Sequence, residues 1–259
     1  MNQKGNGGAE GVRAVDRALQ ILLAFTHGQQ GLTVGELLGL VDLSRPTLYR
    51  LLYTLERNGF VSASGEPQRF RLGPAAARIS HAWTSSLDIA ALAQPMLKRL
   101  WDKTGETVAL FVRQGDYRIC AAELPSAQPL SFKRGVGSRE RIVLGASGRV
   151  MLAFESLQKE ELEASARGLD LDLAAIEREL AQIRRRGYAV SRNALIQGAV
   201  AVAAPFFDGA GRLHGALGVF GPSVRVHAAE TEAFGQQLIE ECAALSRALG
   251  ARGMGPGGE

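Results

Sequence analysis

The chain has 259 residues, enough for two domains at the usual length of roughly 100–200 residues each. It is 46% hydrophobic and 22% charged, which excludes a disordered chain, and two cysteines, Cys120 and Cys242, are too few for a disulfide scaffold. The net charge of +4 is uninformative until the charges are located.

The longest apolar run, residues 199–207, contains a proline. It is far short of the roughly twenty residues that cross a bilayer. The polar, Gly-rich first ten residues have no apolar core of a signal peptide. A cytoplasmic protein with no membrane partner is expected.

Residues 1–10 read as a disordered tail. In residues 12–27, Val15, Leu19, Leu22 and Phe25 recur at spacings of four and three, which places them on one helical face. Gly28-Gln29-Gln30-Gly31 breaks it. Thr33 with Glu36 three residues on has the form of a capping box for a short helix over residues 34–41. Asp42-Leu43-Ser44 is a tight turn in which Ser44 caps a third helix. Pro46 lies in its first turn, where a missing N–H costs nothing, and Asn58-Gly59 end it. Phe60-Val61 and Arg69–Leu72 flank Ser64-Gly65-Glu66-Pro67 as a hairpin. The order is that of a winged helix-turn-helix over residues 11–74.

Gly73-Pro74 marks a boundary. An Ala-rich linker helix is expected over residues 75–94, and another helix over 95–104. Strands follow at 107–113, Tyr117–Leu124 and 129–133, then helices at 146–154 and Leu173–Arg186. Further strands fall at 188–191, Ala199–Phe207 and 213–220, before a closing helix at 228–249. Hairpins mixed with helices, without regular alternation, indicate an α+β domain on an antiparallel sheet over residues 95–250. Residues 251–259 read as a flexible tail.

The third helix carries the functional signal. Leu48, Leu51, Leu52 and Leu55 form one stripe that must face a core. The opposite side then carries Pro46, Arg50, Tyr53 and Arg57, with Arg45 and Tyr49 toward its edge. Arginine pairs bidentately with guanine, and both arginine and tyrosine hold phosphates. Ser44, Arg45 and Thr47 occupy the N-terminal turn, the end of a recognition helix that meets base edges. Between Leu43 and Arg71 stand five arginines against two glutamates, a surplus of three in a chain of net +4. Gln68 and Arg69 in the hairpin are candidate wing contacts to backbone or minor groove. Double-stranded DNA is therefore the expected partner.

The residues resemble the IclR family of bacterial transcription regulators. The resemblance rests on Val15-Asp16-Arg17-Ala18-Leu19, Leu43-Ser44-Arg45-Pro46-Thr47, Arg50-Leu51-Leu52 and Arg71-Leu72-Gly73 in the first part. In the second part it rests on Gly148-Arg149-Val150-Met151-Leu152-Ala153, Arg186-Gly187-Tyr188, Gly198, Ala204-Pro205 and Gly221-Pro222. It implies a winged helix, a linker helix and a GAF-like effector-binding domain, commonly in dimers or dimers of dimers. Asp42 stands where such proteins often have glycine; Asp also tolerates a left-handed backbone. The resemblance places an effector pocket at Leu130, Ala146, Ser147, Ser191, Ala199, Ala201, Gly218 and Phe220. Only the serines are polar, so a roomy, apolar pocket for an aromatic or alicyclic acid is expected. Arg141 is either a surface arginine or a holder of an acid group at the pocket mouth.

Catalysis has little support. The four histidines, His27, His81, His214 and His227, lack metal-ligand spacing. Gly145-Ala146-Ser147-Gly148 lacks the spacing of a nucleophile elbow, and Gly135-Val136-Gly137-Ser138 stops short of a dinucleotide loop. Cys120 and Cys242 read as buried structural thiols. No metal, cofactor or catalytic residue is expected. A winged helix that binds protein instead of DNA is the alternative reading, ahead of an enzyme fused to a DNA-binding domain.

Overall fold

The computed structural model describes residues 12–27, 31–85, 88–155 and 159–251. The expected tails, most of the Gly28–Gly31 break and residues 86–87 of the expected linker lie outside them. The chain divides into two compact units, Met1–Leu87 and Asp88–Glu259.

The first unit holds α1 (Arg13–Ala24), α2 (Val34–Leu40), α3 (Arg45–Arg57), β1 (Val61–Ser64), β2 (Arg69–Leu72) and α4 (Pro74–Ser85). The capping box forms as its spacing predicts: the Thr33 N–H donates to Glu36 at 2.7 Å, and the Glu36 N–H donates to the Thr33 hydroxyl at 3.3 Å. Ser44 is the N-cap residue of α3, but its hydroxyl pairs with that of Thr47 at 2.9 Å and makes no backbone cap bond. Leu48, Leu52 and Leu55 are buried with Ile21, Leu37, Val61 and Phe70. β1 and β2 pair antiparallel, and Leu32 joins the wing by exchanging two backbone bonds with Phe70. Among the described non-glycine residues only Asn193 has a positive φ, so Asp42 needs no left-handed backbone.

Burial divides the apolar face of α1 read from the sequence. Val15 and Leu19 are 53% and 51% exposed, while Ile21, Ala24 and Phe25 enter the core. Helix α1 thus has two apolar faces, and the four-and-three stripe belongs mostly to the outer one.

The second unit holds α5 (Ile89–Thr104), β3 (Thr107–Gln114), β4 (Tyr117–Leu124), β5 (Arg139–Arg141), α6 (Gly145–Phe154), α7 (Lys159–Ala166), α8 (Leu173–Arg186), β6 (Ala189–Arg192), β7 (Ala199–Phe207), β8 (Leu213–Pro222) and α9 (Ala228–Ala248). Its sheet runs β5-β4-β3-β8-β7-β6, every neighbour antiparallel. Helices α5 and α9 pack against the sheet and each other, and α6 packs on β7 and β8 with α8 behind it. Ala109, Ala201, Ala203 and Ala216 share the core with α6 and α8. The sheet is buried on both faces, so β7 reads as an unbroken apolar run. Small sheet residues let α6 sit close. A Cβ on Gly148 would collide with the Ile142 carbonyl, so only glycine fits there.

Three sequence expectations are corrected. The linker is not one helix to residue 94: α4 ends at Ser85, and α5 starts at Ile89 because the Asp88 carboxylate accepts from the N–H groups of Ala90 and Ala91. Pro95, read as a helix start, lies inside α5. Residues 129–133 are loop, and the strand beside β4 is β5 instead. Among the described residues, no helix is long and apolar enough to cross a membrane.

Candidate nucleic-acid interface and ligand cavity

Burial of the leucine stripe fixes which way α3 faces. Ser44, Arg45, Pro46, Tyr49, Arg50, Tyr53 and Arg57 are all exposed, and Thr47 is half-buried. The sequence-predicted reading face is therefore a single outward surface of one helix. Gln68 is exposed on the wing.

Arg69 is not disposed as a wing contact. Its guanidinium donates to the Gly31 carbonyl at 2.9 Å and lies 3.4 Å from Glu36. It braces β2 against the start of α2. The Glu36 carboxyl is held below its ordinary range mainly by the Thr33 N–H, then by the Thr33 hydroxyl, with Arg69 adding a smaller pull in the same direction. The correction follows from chemistry: a carbonyl and a carboxylate within reach take up a guanidinium that would otherwise face solvent.

In the second unit, a cavity opens beside the first turn of α6. Ala146, Ser147, Ser191, Ala199, Ala201 and Phe220 line it, as expected from the sequence. Leu130 and Gly218 do not. Leu130 is exposed, with its carbonyl accepting from Arg225 at 2.7 Å; the space beside Gly218 is taken by the Phe220 ring. Arg141 is also elsewhere, donating to the Ser165 and Arg167 carbonyls.

The cavity is mostly apolar in its lining, as expected, but it is not roomy, and two cations reach it. Its volume is about 20 Å³, about the space of one water. Arg118 and Arg134 reach it, together with Phe132, Gly145 and residues 194–196. Arg118 is 2% exposed; its Nε has no partner, and its Nη2 meets only the Leu144 carbonyl, at 3.4 Å. Burial pushes the Arg118 guanidinium down to about 10; Arg134 adds to this, and Glu140 and Cys120 partly offset it. Arg134 is lowered as well, chiefly by burial. Ser147 is 1% exposed and its hydroxyl is also unpartnered. The Ser191 hydroxyl accepts from the Ala146 N–H at 3.0 Å. Gly145 opens α6 at φ +72°, and a Cβ there would meet Leu195, Arg118 and Ser191 within 3.8 Å. These groups converge on one point.

The arginines were missed for different reasons. Burial in β4 alternates, with Arg118 on the same inward phase as Cys120 and Ala122, so a strand-parity count would have found it. Arg134 lies in an irregular loop and has no periodic signal.

A helix-turn-helix presenting arginines and tyrosines outward is built to hold DNA, and a separate unit with unpaired polar groups around a cavity is built to sense a small molecule. The class so defined is a ligand-responsive, DNA-binding transcriptional regulator. Comparison with known proteins makes this specific. The IclR helix-turn-helix domain matches residues 14–65, and the C-terminal domain of the bacterial transcriptional regulator IclR matches residues 81–247; the chain belongs to the IclR family. It is 31% identical to the HTH-type transcriptional regulator BhcR of Paracoccus denitrificans, over 96% of this chain and 92% of that one. It is 31% identical to XynR of Escherichia coli, over 92% and 98% of the two chains. The crystal structure of Pseudomonas aeruginosa HmgR superposes with a TM-score of 0.74 at 27% identity, covering 94% of this chain and all of that one.

Proposed function

We propose that α3 enters the major groove of an operator, with Ser44, Arg45 and Thr47 at base edges and Arg50, Tyr53 and Arg57 on phosphates. The observation that carries this reading is the outward placement of all the charged and phenolic residues of α3 opposite one buried leucine stripe. Tyr49 flanks this face, and Gln68 reaches the backbone from the wing. Arg69 is left out of the contact set because it is engaged within the domain. The compartment this requires is the one holding the operator, the cytoplasm.

The same reading makes the protein a dimer. An apolar groove of about 1110 Å³ runs between α1, α3 and α4, bordered by the exposed Val15, Leu19, Leu23, Leu72 and Ile79; Thr47 and Arg50 also line it, so the association surface adjoins the reading face and shares these two residues. An apolar patch of this kind marks an association surface. A second copy is the occupant that suits a helix-turn-helix, because paired half-sites one helical turn apart require paired recognition helices. The effector is a small acid in the α6 cavity, and Leu195 must yield for it to enter.

The test is binding to the DNA flanking the protein's own gene. Affinity should fall steeply with salt, each lost phosphate contact lowering the slope of log K against log salt by about 0.9. Arg45→Ala should relax base preference, whereas Arg57→Ala should weaken all sequences alike. Unchanged binding in both variants would remove α3 as the reading helix.

A further inference from the structure

The reading of the α6 cavity as the effector site leaves the chemistry of the effector open, and two guanidiniums, Arg118 buried and Arg134 half-buried, narrow it. Arg118 lies 5.0 Å over the Phe111 ring and Arg134 lies 5.5 Å over the Phe220 ring. The two rings meet edge-on with centroids 5.7 Å apart, so both cations belong to one small chamber. A guanidinium over a ring keeps its N–H edge available for a planar carboxylate. Among the described residues, neither guanidinium has an ion pair within 4 Å.

The nearby acids do not fill that role. Glu123 accepts from the backbone N–H groups of Arg134 and Gly135, at 2.6 and 3.1 Å, and acts on the Arg134 guanidinium only through the field. Glu140 acts on both arginines through the field and touches neither. Two unpartnered buried polar atoms, Arg118 Nε and Ser147 Oγ, lie at the start of α6, an end that favours an anion although the Ala146 N–H already donates to Ser191. A ligand with a single charge would satisfy that end and leave the half-buried Arg134 guanidinium at the cavity with the Phe220 ring but no anion.

Resting on that reading of the cavity, we propose that the effector is a small dicarboxylate. One carboxylate is held by Arg118 and Ser147 at the start of α6, and the other by Arg134 beside Phe220. The small volume calls for a short chain, and Leu195 is the side chain it displaces.

The full-length protein is titrated with malonate, succinate, glutarate and adipate, with propionate, butyrate, valerate and hexanoate as matched monoacids, and with inorganic phosphate. Thermal shift and calorimetry read binding, and operator binding is followed in parallel. At least one diacid should bind at least about tenfold more tightly than its monoacid. Arg134→Gln should erase that preference and leave residual binding of both, while Arg118→Gln should abolish both. If Arg118→Gln fails to fold, the loss of preference in Arg134→Gln still decides the matter. Monoacids or phosphate binding as tightly as diacids would overturn the dicarboxylate while leaving the cavity as effector site. No binding by any acid, with operator affinity unmoved, would overturn both.

Discussion

Arg69 has the charge of a DNA contact, and the fold uses it as a brace. Removing it leaves the Gly31 carbonyl without its side-chain donor, while Glu36 keeps its bonds from Thr33. Arg69→Ala should therefore cost about 0.5–1.5 kcal/mol of stability in the DNA-binding unit, read by chemical denaturation, and leave the salt slope of operator binding unchanged. Arg57→Ala should do the opposite, holding stability and lowering the slope by about 0.9. The thiols make a second case in which surroundings override residue type. Burial pushes Cys120 up to about 11 and Cys242 up to about 12. Both lie well above neutral pH, so almost no thiolate forms there. Neither should react with a thiol reagent in the native protein, and both should react once it is unfolded. Because these pKa values are raised by folding, the thiols' contribution to stability is full below their ordinary range near 8.5–9 and is lost as pH rises through 11 to 12.

At the scale of elements, what was legible followed periodicity, and what was not depended on contacts across the fold. The capping box at Thr33, β7 and α8 all follow from local spacing. The start of α5 did not, because Pro95 draws attention from the Asp88 cap seven residues earlier. Small residues at the cavity were visible in sequence, but their meaning was inverted. Ala201 and Gly218 suggest space, yet the Phe220 ring takes the space beside Gly218, and Leu195 and two arginines from elsewhere in the chain line what is left. Leu195→Ala should enlarge the cavity and tighten acid binding, measured by calorimetry, because the ligand no longer displaces the side chain. Gly148→Ala should lower stability by about 1–3 kcal/mol, read in a urea melt, because the added carbon meets the Ile142 backbone.

At the scale of the whole molecule, the two-faced α1 and the effector cavity are the parts through which one chain can become a switch. The outer stripe of α1 was readable as apolar but not as unburied, since periodicity says which residues share a face and not what covers it. Leu19→Glu should lower the mass seen in sedimentation and weaken operator binding together, because one charge in the groove opposes association. A ligand changes DNA affinity only through a difference in its affinity for two arrangements, and the coupling is reciprocal. The most direct measurement is a pair of titrations with the acid that gives the largest thermal shift: operator affinity with and without saturating acid, and acid affinity with and without operator. The two ratios should depart from one and agree. An acid that binds in the cavity while operator affinity stays unchanged would contradict the account.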